Sequence, residues 1–336
     1  MTVDNFLTNL ITNKQPYALT AEDKKTIQFE GIEKYIYKKL NNSKYKCTKT
    51  TDDYDKIVLE KIHYCVQNNL PIHLDLSTGA TKNPNAVTAP GIDWAEVFNV
   101  ALLRDYLKPI AAAYKNGVAL DYFSVAMFEE KVNHIPERDS ELYDKQFTEL
   151  IKVYQNYLPE NFTLRYSRLS DRCDKKAVDN AMDDLIAKLR EAWPQLSEEV
   201  RQEKLMRAER NILFTGKETN RAEVILTAAL AHDAFCGEGW CKGITPIWYE
   251  KDDISLGHRY TAGWAIHVRS AQASTINFWS GTGILMQKGD SYIPNILSPK
   301  QYKDVEAKLV GTKVEFFEAN SVLSEKLGTV AVTSYD

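Results

Sequence analysis

The sequence predicts an α/β protein: a mixed sheet with an N-terminal helical cap and an antiparallel C-terminal extension. Three observations predict it. Short apolar runs at residues 70–76, 118–125 and 162–169 alternate with helix-length segments, the pattern of parallel βαβ units. Residues 1–69 carry only helical periodicities. After Gly243 the rhythm changes to short apolar runs separated by Gly, Ser and charged residues, as expected of adjacent antiparallel strands.

At the N-terminus, Thr20 and Asp23 have the spacing of a capping box, and Ile27, Ile32, Tyr35, Ile36 and Leu40 recur with a helical period. A further helix carries Tyr54, Ile57, Val58, Ile62 and Cys65 and stops at Asn68 and Asn69. "LPIHLDL", residues 70–76, reads as a strand, and a polar loop comes after it. Asp93 is placed to cap a helix through Val97, Val100, Ala101 and Leu107, which Pro109 should bend and Gly117 should end. "VALDYFSV" (118–125) and "FTLRYSRL" (162–169) are strands flanking a helix from about residue 140 to 158. The segment 174–235 is helical and highly charged, which a solvated face of packed helices explains. "ITPIWYE", "TAGWAIHVRS", "ASTINFW" and "GILMQ" are the expected strands of the extension; a helix near 298–309 and a strand at "TKVEFFE" complete it. The expected organisation is a helical cap over 1–69 and one continuous α/β sheet within 70–336.

Composition narrows the function. The chain has 336 residues, 44% hydrophobic and 26% charged, with a formal charge of -4, so no basic footprint draws it to nucleic acid or an anionic membrane. A small-molecule partner is the expectation. Five cysteines make an odd count, and "MTVDNFLTNLITNKQ" lacks the features of a secretory signal, which points to reduced thiols and a cytoplasmic setting. No apolar run approaches the roughly 20 residues that span a bilayer.

The polar loop raises the main functional question. Residues 77–92 leave the carboxyl end of a parallel strand, the edge where open α/β sheets bind ligands. Lys82 and the helix start near Asp93 could together hold an anion or phosphate, although neither a P-loop nor a dinucleotide fingerprint is present. A solvated loop with one lysine is the plainer alternative. "KNPNAVTAPGIDWAEVFNVALLRDYLKPIAAAYKNGVALDYFSV" resembles the isocyanide (isonitrile) synthases, the family of paerucumarin-type and fungal spore-wall biosynthetic enzymes. The matching positions are Lys82, Pro84, Asn85, Asp93 and Glu96, and the resemblance covers about residues 70–160.

That resemblance implies a Rossmann-like fold and a reaction without metal or organic cofactor. An amino acid amine would condense with the ketone of ribulose 5-phosphate, whose carbon 2 becomes the isonitrile carbon. Such chemistry needs a cationic cradle for phosphate and groups that move protons. Lys82 would bind phosphate or shuttle a proton, Asn85 would help organise the phosphate side, and Glu96 is an acid/base candidate. The family's aspartate after the second strand is replaced in "SVAMFEE", where Glu129 or Glu130 would substitute. Its later arginine–histidine element is approximated by Arg221 and His232, and its Trp-His element by Trp264 and His267. The alternatives are a catalytically altered member that binds a phosphorylated small molecule or serves a downstream biosynthetic enzyme, and a different carbon–nitrogen-forming transferase.

Other residues offer chemistry on their own. In "GWAIHVR" strand alternation puts His267 and Arg269 on one face, a proton-transfer group beside a bidentate anion binder, although an exposed strand face gives the same pattern. "LGHRY" adds His258, Arg259 and Tyr260 with less weight. Arg168 ends the third strand on the same edge as the Lys82 loop, and Arg207 and Arg210 sit at i, i+3 on a helix. "AHDAFCGEGWC" holds His232, Asp233, Cys236 and Cys241 but lacks a second tight ligand pair, so no metal site is expected. The absence of a G-x-S-x-G elbow gives serine-hydrolase chemistry no support.

Overall fold

Four helices precede the first strand. The structure, a computed structural model, describes residues 1–79, 81–214, 216, 218–235, 253–257, 265–314, 317 and 321–335. Helices α1 (Val3–Thr12), α2 (Ala21–Glu30), α3 (Ile32–Leu40) and α4 (Asp52–Gln67) form the expected cap. Thr20 and Asp23 close the capping box in both directions, and Asn68 is the C-cap of α4.

The central sheet is parallel throughout. Its strands are β1 (Ile72–Thr78), β2 (Val118–Ser124), β3 (Phe162–Arg168), β4 (Ile254–Gly257) and β5 (Ile266–His267), in the order β3-β2-β1-β4-β5. Helices α5 (Trp94–Ala113) and α7 (Glu137–Gln155) carry the β1-to-β2 and β2-to-β3 crossovers, with the short α6 (Glu129–Asn133) between β2 and α7. From β3 the chain runs through α8 (Lys175–Ala192), α9 (Glu198–Glu209) and α10 (Arg221–Asp233) before β4 joins the other side of β1. The strand order therefore reverses at β1, which makes its carboxyl end the topological switch point of the sheet.

The C-terminal part forms a second sheet, not a continuation of the first. Its strands β6 (Thr282–Lys288), β7 (Ser291–Leu297), β8 (Lys308–Gly311) and β9 (Thr329–Ser334) lie in the order β7-β6-β9-β8. It is mixed: β6 pairs antiparallel with β7 but parallel with β9, and β8 antiparallel with β9. Helix α11 (Pro299–Lys303) is shorter than the sequence suggests, and α12 (Ser321–Leu327) precedes β9. Three expected strands fall differently. Residues 266–267 belong to the parallel sheet; "ASTINFW" is irregular and ends in a 3₁₀ turn at Phe278–Ser280; and Thr312–Val314 are not in a strand. "ITPIWYE" and Trp264 lie outside the described residues.

Helix α5 sits between these sheets. Sixteen of its twenty residues are buried, so it is a core helix rather than an amphipathic surface one. It continues through Pro109 to Ala113, and Gly117, at φ +69°, occupies the turn into β2 instead of capping the helix. Buried polar groups tether it to its neighbours: Arg104 donates to the Ile11 carbonyl at 2.8 Å, Tyr106 to that of Leu40 at 2.6 Å, and Trp94 Nε1 to that of Thr329 at 2.8 Å. Strand β6 lies so close to its first turn that a Cβ on Gly283 would collide with the backbone of Trp94 and Ala95. Gly283→Ala is expected to lower the unfolding free energy by about 2–3 kcal/mol, as overpacking does when the obstacle is backbone; denaturant titration measures it.

Candidate functional site

Lys82 comes just after the end of β1 and turns inward rather than to solvent. Its ammonium is fully enclosed and donates to Asp93 Oδ1 at 3.0 Å, to both Glu96 oxygens at 2.9 Å and to the Phe278 carbonyl at 2.9 Å. Asp93 caps α5 through the Ala95 N–H, and Glu96 completes the capping box by accepting from the Asp93 N–H at 2.8 Å. Tyr143 of α7 donates to Glu96 Oε1 at 3.0 Å, and Thr88 to Asp93 Oδ2 at 2.6 Å. The feature read from sequence as an anion cradle, a lysine beside a helix start, is thus internally neutralised by the helix's own capping carboxylates. Burial pushes the Glu96 carboxyl up to about 8, against the pull of Lys82 and aided by Asp93.

The cavity lies beside this cluster, at the carboxyl edge of the parallel sheet. It has a volume of about 1290 Å³ and is entered by Gly79, Thr81 and Asn83 from the loop after β1 and by Val125 and Phe128 after β2. Its charged lining comes from the helices: Glu129 of α6, Arg207 of α9, Arg210 at the end of α9, and His232 of α10. Residues 273–280, β7 and α11 contribute a neutral lining of hydroxyls, amides and Trp279.

Each charged group is held differently. Arg207 donates to Asp233 at 2.8 Å, and Lys204 shares that carboxylate at 2.6 Å. Arg210 uses Nε on the Met206 carbonyl, at 3.1 Å, and pairs with no carboxylate among the described residues. Glu129 accepts from Asn133 at 2.6 Å. Burial holds the His232 imidazole below its ordinary pKa, with Arg207 and Lys204 adding to the effect against Asp233, so the ring is neutral at pH 7. A neutral imidazole, an arginine without a carboxylate partner and a carboxylate in one cavity can bind an anion and an ammonium and accept a proton.

Of the residues singled out in the sequence, His232, Arg207, Arg210 and Pro84 line this cavity. Lys82 and Glu96 meet each other behind its loop wall without lining it. Asn85 is exposed in a turn, its N–H donating to Asn83 Oδ1 at 2.9 Å. Arg168 is an exposed partner of Asp171, at 2.8 Å. His267 is buried on β5 with Nδ1 3.2 Å from the Thr48 hydroxyl, and the Arg269 N–H donates to the Tyr45 carbonyl. Those four residues do not line the cavity. Of the two glutamates weighed after β2, Glu129 lines it and Glu130 does not. Cys236, Cys241, His258, Arg259 and Tyr260 lie outside the described residues. Sequence reasoning missed Asn133, Asn277, Trp279 and Gln301; the uncharged Ser/Thr/Asn run around Trp279 was the available signal, and it read as a strand.

Fold and cavity define a Rossmann-like α/β protein with a ligand-sized cavity at the switch point of its parallel sheet. A similar solved structure is that of the PvcA protein from Pseudomonas aeruginosa, with a TM-score of 0.62 and 13% identity over 84% of this chain and 97% of that one. At that identity the likeness establishes the shared fold. No family model and no curated protein matches the chain. Among the described residues, no helix is long and apolar enough to cross a membrane.

The buried cluster generates two expected outcomes. Lys82→Met leaves the Asp93 carboxylate and the Glu96 carboxyl buried without their cation and is expected to cost about 3–5 kcal/mol of stability in denaturant melts. Glu96 binds its proton more tightly folded than unfolded, so its contribution is complete below about pH 4.5 and is lost as pH rises toward about 8. Glu96→Gln should therefore flatten the decline of stability across that range; an unchanged slope would mean that Glu96 titrates as an ordinary carboxyl.

Proposed function

We propose that the protein is a biosynthetic enzyme of the isocyanide-synthase type, condensing the amine of an amino acid with ribulose 5-phosphate. The observation that carries the reading is the cavity at the switch point, in which Glu129, Arg210 and a neutral His232 come together. The fold shared with PvcA supports a distant relation to that family, in line with the resemblance of residues 82–125. Arg210 takes the phosphate by charge-assisted hydrogen bonds, Glu129 faces the ammonium, and His232 accepts a proton during imine formation. Lys82 and Glu96 act by holding the loop wall, not by touching substrate. A cytoplasmic setting and a downstream enzyme that consumes the isonitrile complete the reading.

The test is incubation with ribulose 5-phosphate labelled at carbon 2 and a panel of amino acids. Label should appear in an isonitrile product. Arg210→Gln should raise KM for the sugar phosphate by about tenfold or more with a smaller change in kcat, and His232→Asn should lower kcat by about 10²–10⁴. Sugar-phosphate binding without label transfer to any amine would instead identify a member that has kept the site and lost the reaction.

A further inference from the structure

Two strips of chain meet at the carboxyl end of β1, residues 81–83 and 277–280. They are joined twice: the Asn83 N–H donates to the Trp279 carbonyl at 2.7 Å, and the Lys82 ammonium to the Phe278 carbonyl at 2.9 Å. Gly79 lets the indole of Trp279 lie against the strand end, because a Cβ there would overlap the ring. The Phe278 ring meets that indole edge-on, at 4.9 Å and 89°. Thr81, Asn277 and Trp279 all line the cavity.

This part of the lining has an unmet hydrogen-bonding demand. The Thr81 hydroxyl and the Asn277 side-chain carbonyl are buried and have no hydrogen-bond partner among the described residues. Thr81 is only 5% exposed. Native proteins seldom leave such atoms unpaired, because each forfeits its hydration without compensation. The neighbouring lining residues, Thr275, Ser280 and Asn295, are also uncharged, whereas Glu129, Arg207 and Arg210 come from the helices.

We propose that Thr81, Asn277 and Trp279 form a subsite for an uncharged polyhydroxyl segment of the ligand. A polyol supplies a hydroxyl that donates to the Asn277 carbonyl and another that pairs with the Thr81 hydroxyl, while its C–H face packs on the indole. An apolar ligand would leave both oxygens unpaired, and a charged one would find no charged side chain lining this part of the cavity. The proposal deepens the sugar-phosphate reading, since the carbon chain of a phosphorylated ketose is such a segment, but binding of an uncharged polyol tests it without turnover.

The experiment titrates the full chain with D-ribulose, ribitol and inorganic phosphate by ligand-observed NMR, in wild type, Thr81→Val and Asn277→Leu. Wild type should bind both polyols. Thr81→Val replaces an unpaired hydroxyl by a methyl group, so its Tm should equal or exceed that of wild type while polyol affinity falls by about fivefold. Asn277→Leu should weaken the polyols similarly, with phosphate affinity unchanged in both variants. Absence of polyol binding by wild type, unaltered polyol affinity in both variants, or a parallel loss of phosphate would each overturn the subsite. None of these bears on label transfer, which decides the reaction separately.

Discussion

The architecture turns on a lysine that cannot reach water. Removing an ammonium and its carboxyl partners from solvent costs several kcal/mol per ion, and only close, fully hydrogen-bonded geometry offsets it. Lys82 meets that condition with four contacts of 3.0 Å or less. The demand for geometry gives the cluster its effect: it ties the loop after β1 to the first turn of α5 and to the segment that carries Trp279. Tyr143 extends it to α7, and the Gly283 N–H, 3.3 Å from Asp93 Oδ1, to the second sheet. One charge group therefore sets the spacing of the cavity's loop wall.

The cavity divides its chemistry by the origin of its walls. Helices α6, α9 and α10 belong to the excursions after β2 and β3, and they bring the charged groups. The loop after β1 and the approach to the second sheet bring amides, hydroxyls and an indole. The charged side is partly self-neutralised, since Asp233 engages both Arg207 and Lys204, which leaves Arg210 as the cation at the cavity without a carboxylate partner among the described residues. The same two cations help to keep His232 deprotonated. A neutral imidazole and an arginine thus line one cavity, a pairing that suits the proposed amine–carbonyl condensation.

Much of the fold was legible because local chemistry and the final structure agree. Thr20 with Asp23 is a capping box in sequence and in space, and Asp93, read as an N-cap, caps α5 with Glu96 completing the box. The three apolar runs became β1, β2 and β3, the first two buried along most of their length and the third at the sheet edge with its apolar residues turned inward. Where reading failed, tertiary context had overridden local pattern. "ASTINFW" alternates like a strand, yet Phe278 is drawn into the core and its carbonyl goes to Lys82. Gly117 does not end α5, which stops at Ala113 and leaves the glycine to the turn into β2. His267 and Arg269 share a face in principle, but β5 is two residues long at the sheet edge, away from the cavity.

The sequence by itself determined the helical cap, the parallel strands and the position of a ligand edge after β1, because periodicity, capping residues and strand–helix alternation are local properties. It also singled out Arg210 and His232 by residue type. Only the tertiary structure decided that Lys82 would spend its charge on Asp93 and Glu96 rather than on a ligand, and that Glu129 and Trp279 would share a cavity with Arg210. Ion pairing and cavity formation depend on which groups meet across the fold, at separations from 11 residues for Lys82 and Asp93 to 196 for Lys82 and Phe278, and no local pattern encodes those meetings.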